Sequence, residues 1–178
     1  MTQLFAYEVP LLISILAPTV LAGTWSLSEM ARFYGAHPGY WPINIIGFAV
    51  ALITLLGKLE KVPFDIPEAE TEIVAGTFTE YSGRLFGLFK LTIDIEEVVA
   101  ASLLAAVYMP FGLNAWLPFG IMLFIAKVLI IVAILALLRT IFARLRIDQM
   151  IDFCWKYLAP FAFLQLLINL MLRGILTR

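Results

Sequence analysis

The sequence predicts an all-α, polytopic membrane protein with about five transmembrane helices and an ordered cytoplasmic loop. Of its 178 residues, 62% are hydrophobic, and the mean hydropathy is +0.97. Water-soluble domains do not have this balance, whereas a membrane helix needs about 20 mostly apolar residues in a row. One polar stretch, residues 58–84, interrupts the apolar segments and is the candidate loop.

The apolar segments divide a single membrane domain, residues 1–178, into five predicted spans. They cover residues 9–27, 43–59, 85–109, 119–138 and 157–172. Residues 28–42 read as a polar connection, in which Tyr34, Tyr40 and Trp41 suit an interfacial aromatic belt. Pro18 predicts a kink in the first span, because proline cannot donate the helical hydrogen bond.

The distribution of basic residues predicts the orientation of the spans. The side of the polar stretch collects Lys58, Lys61, Arg84, Arg139, Arg144, Arg146 and Lys156, against Arg32, Arg173 and Arg178 on the other side. We therefore expect a multi-pass protein of the cell membrane, with its N-terminus and residues 60–84 in the cytoplasm and its C-terminus outside.

Composition excludes several kinds of site. A formal net charge of −1 and the lack of a basic patch argue against nucleic-acid binding. The one cysteine, Cys154, excludes an intrachain disulfide and a cysteine-held iron–sulfur cluster. The one histidine, His37, leaves no histidine-based metal site. We expect neither a catalytic site nor a bound metal or cofactor in the chain.

The polar stretch should be an ordered structure rather than a solvated connection. Its acids alternate with apolar anchors: Phe64, Ile66, Ile73, Val74, Phe78 and Tyr81. Asp65 is a good N-cap with Glu68 three residues later, which predicts a short helix over 66–75. Glu68 and Glu72 would share one face of that helix.

Charged residues inside the apolar segments are the second unusual feature. Asp94, Glu96 and Glu97 fall within the third predicted span, where a charge costs about 2.5–3.5 kcal/mol on insertion scales. We expect Lys90 to offset Asp94, and Lys127, in the middle of the fourth span, to pair with Glu96 or Glu97. A structural ion pair would account for one of the three acids of this span, whereas a proton or ion relay would use all three. For Lys127, a structural salt bridge to a neighbouring subunit and a role in the relay are equally open.

The polar stretch reads V-P-F-D-I-P-E-A-E-T-E-I-V-A-G-T-F-T-E-Y-S-G from Val62 to Gly83. It resembles the signature loop of the membrane subunit that anchors the peripheral arm of respiratory complex I. The same subunit occurs in the group 4 membrane-bound nickel–iron hydrogenases and related archaeal complexes. Y-E-V-P from Tyr7 and R-L-R-I-D-Q from Arg144 extend the similarity, which covers only the C-terminal part of the usual family member.

The resemblance implies a role in coupling electron transfer to ion translocation. The resemblance implies one group of residues at the junction with the peripheral arm or around a quinone-like cavity. This group is Phe64, Asp65, Glu68, Glu70, Glu72, Glu80, Tyr81 and Arg84. The ion-translocation residues would be Glu8, Asp94, Glu96, Glu97 and Lys127. The redox centres would lie in partner subunits, as iron–sulfur clusters with a nickel–iron centre or a quinone.

The implied partners are peripheral hydrogenase-like or quinone-site subunits, a cluster-bearing small subunit, antiporter-like and small membrane subunits, and membrane lipid. A separate chain would supply the missing N-terminal spans, unless the sequence is a truncation.

Three functional classes remain open: the coupling subunit of a membrane-bound hydrogenase or relative, the equivalent complex I subunit beside a quinone site, and an unrelated secondary transporter or scaffold. The loop sequence from Asp65 to Arg84, and L-F-K-L-T-I-D-I-E-E in the third span, look closer to the hydrogenase class. No inverted repeat supports a transporter.

Overall fold

The computed structural model describes residues 2–64, 81–112 and 116–176, and the regular elements in these ranges are all helical. The α-helices are α1 (Thr2–Ala22), α2 (Leu27–Ala36), α3 (Ile45–Lys58), α4 (Arg84–Tyr108), α5 (Leu117–Ile141), α6 (Ile147–Phe153) and α7 (Ala159–Leu176). Short 3₁₀ turns at Pro38–Tyr40 and Pro42–Asn44 precede α3, and a π-helical segment, Cys154–Leu158, joins α6 to α7. The predicted all-α membrane fold is confirmed.

The described part of the chain contains four segments that are long and apolar enough to cross a membrane: Phe5–Ala22, Pro38–Lys58, Pro118–Ile141 and Ile147–Leu176. The fifth long helix, α4, has 25 residues but carries Arg84, Lys90, Asp94, Glu96 and Glu97. Its charge therefore sets α4 apart from the other long helices.

The helices begin and end at other residues than the sequence suggests. Because α1 starts at Thr2 rather than at residue 9, Glu8 lies inside this helix, and α1 ends before Gly23, whose φ of 73° suits glycine. Part of the expected connection 28–42 is helical, as α2. The predicted helix over 66–75, with its cap Asp65, lies outside the described residues.

Helix α1 lies at the centre of the bundle, where it packs along α3 and α7. Small residues permit this close approach. A Cβ atom on Gly57 of α3 would lie 3.1 Å from the Tyr7 side chain of α1, so a larger residue there would force these two helices apart. Helix α5 packs mainly on α4, at the edge of the bundle.

Pro18 connects α1 to α4 indirectly. Proline has no N–H, so the carbonyl of Ser14, four residues earlier, loses its helical donor. The Tyr108 hydroxyl, at the end of α4, donates to this oxygen at 2.5 Å. Pro18 thus weakens α1 and at the same time frees the carbonyl oxygen that accepts the hydrogen bond from α4.

The bundle has a loop end and a far end. At the loop end, α3 and α5 finish near residues 58–64 and 139–146, and the first half of α4 extends beyond them. At the far end, α4 finishes and α5 starts, and Arg173 Nη1 of α7 donates to the Val20 carbonyl of α1 at 3.1 Å.

Candidate functional site

Charged side chains from α4 and its neighbours meet at the loop end. Glu97 of α4 is the central acid, because only 12% of its side chain is exposed. Its Oε2 atom lies 3.7 Å from Arg139 Nη1, in the last turn of α5, and 4.0 Å from Lys61 Nζ. Lys61 Nζ also lies 4.0 Å from Asp94 Oδ1. Asp94 and Glu97 are three residues apart on one helix face, so a single lysine can reach both.

The turn after α3 places Lys61 beside α4. Lys61 N–H donates to the Leu56 carbonyl at 3.0 Å, and Glu60 N–H donates to the Gly57 carbonyl at 3.3 Å, which together form a Schellman ending. Glu60 occupies the position where glycine is usual, and its φ is 51°. Such backbone strain, of order 1–3 kcal/mol, persists only where the surrounding structure imposes it.

A second ion pair lies at the same end. Glu8 Oε1 of α1 is 3.3 Å from Lys58 Nζ, at the end of α3. The buried Tyr7 hydroxyl lies within electrostatic range of the carboxylates of Glu8, Glu60 and Glu96. We call the acids Glu8, Glu60, Asp94, Glu96 and Glu97, with Lys58, Lys61 and Arg139, the charge cluster.

The segment that follows Lys61 is anchored to the α5–α6 connection. Phe64 N–H donates to the Lys61 carbonyl at 2.8 Å, and Leu145 N–H donates to the Pro63 carbonyl at 3.1 Å. Phe64 is buried, with 2% of its surface exposed. It lines an apolar cavity of about 280 Å³ together with Ile53, Leu56, Pro63, Phe142, Leu145, Gln149 and Phe153. This volume approaches the lower limit of about 300 Å³ for ligand pockets.

Other junction residues are either exposed or outside the described ranges. Tyr81 is 42% exposed, with its ring 4.9 Å from that of Phe89, and Arg84 is the exposed first residue of α4. The residues outside the described ranges are Asp65, Glu68, Glu70, Glu72 and Glu80.

The acids of α4 lie at the end of the bundle rather than at its middle. The cations that contact Glu97 belong to the end of α3 and the last turn of α5. The part of α4 from Arg84 to Glu97 therefore extends past these helix ends by about 20 Å, at 1.5 Å per residue. Its apolar side chains are exposed, with Leu85 at 56% and Leu88 at 59%.

The expected pairing of Lys127 with Glu96 or Glu97 is wrong. Lys127 is only 7% exposed, and its Nζ donates to the carbonyls of Met109, at 2.8 Å, and Phe111. Its Nζ also lies 4.3 Å from the centre of the Phe111 ring. Met109 follows α4 at the far end, about 18 Å along the helix from Glu97. Lys127 instead caps the C-terminus of α4, where cations are favoured.

Asp94 has a partner that we did not expect, because its Oδ1 atom lies 4.0 Å from Lys61 Nζ. Lys90 Nζ lies 5.6 Å from the centre of the Phe86 ring. The sequence does contain a signal for the observed partners. Lys61 and Arg139 follow the ends of two spans that finish on the same side as the start of α4.

Replacing Lys127 should therefore mainly reduce stability. Lys127→Met would leave the carbonyls of Met109 and Phe111 without their donor, at a cost of about 1–3 kcal/mol. We expect a lower midpoint of thermal unfolding in detergent. The control is Lys156→Met, since Lys156 makes an exposed ion pair with Asp152, and such pairs contribute little. Equal decreases in the two variants would contradict the capping role.

Comparison with known proteins identifies the family. The family model described as NADH dehydrogenase matches residues 1–170. The H subunit of NADH-quinone oxidoreductase from Dehalococcoides mccartyi (strain ATCC BAA-2266 / KCTC 15142 / 195) is 38% identical over 167 residues, which are 94% of this chain and 46% of that protein. The corresponding protein of Anaeromyxobacter dehalogenans (strain 2CP-C) is 33% identical over 189 residues, which cover 90% of this chain and 46% of that protein.

A solved structure supports the fold. A chain of the membrane-bound sulfane sulfur reductase, an archaeal respiratory membrane complex, has a TM-score of 0.76 and 24% identity. The alignment covers 94% of this chain and 57% of that chain. This chain spans about half the length of the curated relatives it matches. The resemblance found in the loop motif is confirmed, and the chain belongs to the NADH dehydrogenase family of complex I-like membrane proteins.

Proposed function

We propose that this chain belongs to the membrane coupling subunit of a complex I-related, ion-translocating oxidoreductase, most like a membrane-bound hydrogenase or a relative. The subunit would join a peripheral redox arm to the ion-pumping membrane arm. The observation that best supports this function is Glu97, a largely buried carboxylate whose Oε2 atom lies near one cation in the turn after α3 and another in the last turn of α5. An acid in this setting changes its electrostatic interactions when either cation moves.

Glu97 has an arrangement suited to such a change. Its distances of 3.7 and 4.0 Å to Arg139 and Lys61 exceed those of direct charge-assisted hydrogen bonds, about 2.7–2.9 Å. Both cations can therefore shift without breaking a tight hydrogen bond. Withdrawal of Lys61 would weaken the electrostatic stabilisation of the Glu97 carboxylate, and its return would restore it.

The turn of residues 61–64 offers a route by which redox chemistry could act on Lys61. This turn carries Lys61, is anchored to the α5–α6 connection through Pro63, and contains the first residues of the motif from Val62 to Gly83. A partner that binds the loop would pull on the same turn. Glu8, Asp94 and Glu96 would exchange protons with Glu97 from neighbouring positions in the charge cluster. Lys127 lies at the far end and would take no part in this exchange.

The exposed part of α4 supports the need for further subunits. Apolar side chains such as Leu85, Leu88 and Val99 are more than half exposed, and the curated relatives are about twice as long as this chain. The rest of the subunit, supplied by a separate chain or by the remainder of a longer one, would cover this face. Peripheral, cluster-bearing and antiporter-like subunits would complete the complex.

A second candidate function is that of the equivalent complex I subunit beside a quinone. Two observations favour it: the matched relatives are named as parts of NADH-quinone oxidoreductase, and an apolar cavity of about 280 Å³ lies beside the loop. Such a cavity suits an apolar ligand. The proposal of a hydrogenase-like complex is supported by the sequences of the loop and of the third span.

Purification of the intact complex should separate these two functions. We expect tagged protein to bring down a nickel–iron large subunit and an iron–sulfur small subunit, identified by mass spectrometry and metal analysis. A complex that lacks nickel and reduces quinone with NADH would establish the second function instead. Purification without any redox subunit would contradict both.

Replacement of the central acid should separate pumping from electron transfer. Glu97→Gln keeps the size of the side chain but removes its ionisable proton, so we expect ion uptake into sealed vesicles to fall to background. Electron transfer from the peripheral arm to an artificial acceptor should remain near the wild-type rate. Asp152→Asn is the control, because this acid is exposed. A Glu97→Gln complex that pumps the wild-type number of ions per electron would show that this acid is structural.

Orientation can be tested at the loop. The excess of basic residues places the loop end in the cytoplasm, so a cysteine in place of Thr77 should react with an impermeant maleimide only from the cytoplasmic side. The background reaction should be low because Cys154 is buried. Labelling from the outside of intact cells would reverse the proposed orientation.

A further inference from the structure

A large cavity at the far end of the bundle has no part in the proposed function. It lies between α2 and the turn that follows α4, and its volume is about 520 Å³. Ligand pockets in proteins have volumes of about 300–1,000 Å³, so this cavity is large enough for one. Arg32, Tyr34 and Gly35 of α2 line it, and Trp41 and Phe111 are among its other lining residues.

The tyrosine in the cavity wall is held from several helices. The Tyr34 hydroxyl donates to the Pro18 carbonyl of α1 at 3.0 Å and accepts a hydrogen bond from Asn44 Nδ2, also at 3.0 Å. Asn44 Oδ1 in turn accepts a hydrogen bond from Gln165 Nε2 of α7 at 3.1 Å. The position of α2 is therefore fixed, and the cavity beside it is preformed.

The aromatic residues at this end place the cavity at the membrane interface. The Trp41 indole N–H donates to the Tyr108 carbonyl, and its ring meets that of Phe111 edge to face, with 5.9 Å between the centres. Trp25 follows α1 and Trp116 precedes α5, and they are 82% and 81% exposed. Exposed tryptophans at the ends of membrane helices mark the level of the lipid headgroups. The cavity therefore lies where headgroups and hydrocarbon chains meet.

The positive charge at the cavity has no acidic partner in the described part of the chain. Arg32 is exposed, and its side chain makes no hydrogen bond or ion pair there. Glu29, the acid nearest to it in sequence, accepts a hydrogen bond from the Thr24 hydroxyl at 2.5 Å. A second cation lies beside the cavity wall, since Lys127 Nζ is 4.3 Å from the centre of the Phe111 ring. The cavity therefore favours an anionic group.

We propose that this cavity binds a phospholipid from the membrane leaflet at the far end. Its phosphate group pairs with the Arg32 guanidinium, whose planar fork matches phosphate oxygens. The first part of one hydrocarbon chain lies against Trp41 and Phe111, which supply apolar surface. A soluble anion would leave these aromatic walls uncovered. The site is separate from the charge cluster and from every redox partner, so it goes beyond the proposed function.

Photo-crosslinking in the intact complex tests the site. The probe is phosphatidylglycerol with a diazirine near the start of one chain, and mass spectrometry identifies the labelled residues. We expect labelling of α2 and of residues 110–112, and about ten-fold less of it in Arg32→Gln, which loses a hydrogen bond between charged groups. The control is Lys156→Gln, which removes an exposed cation at the loop end. Labelling in Arg32→Gln at the wild-type level would overturn the proposal.

Two glycines give a matched pair for filling the cavity. Gly35 lines the cavity whereas Gly39 is not among its lining residues, and a Cβ atom on either would have no neighbour within 4 Å. We therefore expect Gly35→Leu to fold normally and to abolish labelling of residues 110–112, whereas Gly39→Leu should be labelled as the wild type. Equal labelling of the two variants would contradict a lipid in this cavity.

Two further measurements separate the lipid from other occupants. In cryo-electron microscopy of the complex in phosphatidylglycerol nanodiscs, we expect headgroup density about 2.7–2.9 Å from the Arg32 guanidinium. Protein density in the cavity would instead assign it to another part of the complex and overturn the proposal. Excess inorganic phosphate should leave the crosslinking unchanged. Loss of crosslinking in phosphate would show that the site takes a free anion and would overturn the assignment to a lipid.

Discussion

Polar groups inside this bundle must find partners within the protein, because a hydrocarbon environment offers none. The hydrogen bond from Tyr108 to the Ser14 carbonyl shows how this constraint shapes the fold. Pro18 leaves that carbonyl without its helical donor, and the end of α4 is held where Tyr108 can replace the missing donor at 2.5 Å. Lys127 of α5 donates to the carbonyls of Met109 and Phe111, which follow the end of the same helix. Two polar contacts thus hold α4 at the far end.

Because α4 is held at the far end, its acids are presented at the loop end. There Lys61 and Arg139 approach Glu97 at 4.0 and 3.7 Å, close enough to stabilise the charge and too far for tight hydrogen bonds. The two ends therefore differ in chemistry. Hydrogen bonds to backbone carbonyls organise the far end, whereas acids paired with basic side chains are gathered at the loop end, next to the motif from Val62 to Gly83.

Part of the candidate site could be predicted from the sequence. Glu8, Asp94 and Glu97 stand out because acids are costly beside apolar segments, and the structure places these three in ion pairs. Their partners could not be predicted in the same way. Lys127 looked like the natural partner because it is the charge in the middle of its span, but pairing depends on how far two helices are shifted along each other. That shift places Lys127 beside Met109 rather than Glu97.

Fold class and family can be inferred from local sequence information: runs of apolar residues long enough to form membrane helices, and a motif from Val62 to Gly83 long enough to be specific. Which polar groups meet depends instead on how the helices pack. Asn44 and Gln165 are 121 positions apart, and nothing in their local sequence distinguishes them from polar residues that face a partner subunit. Their contact exists because α3 and α7 pack on the same helix, α1, and packing of this kind is set by the shapes of whole helix faces rather than by any short pattern.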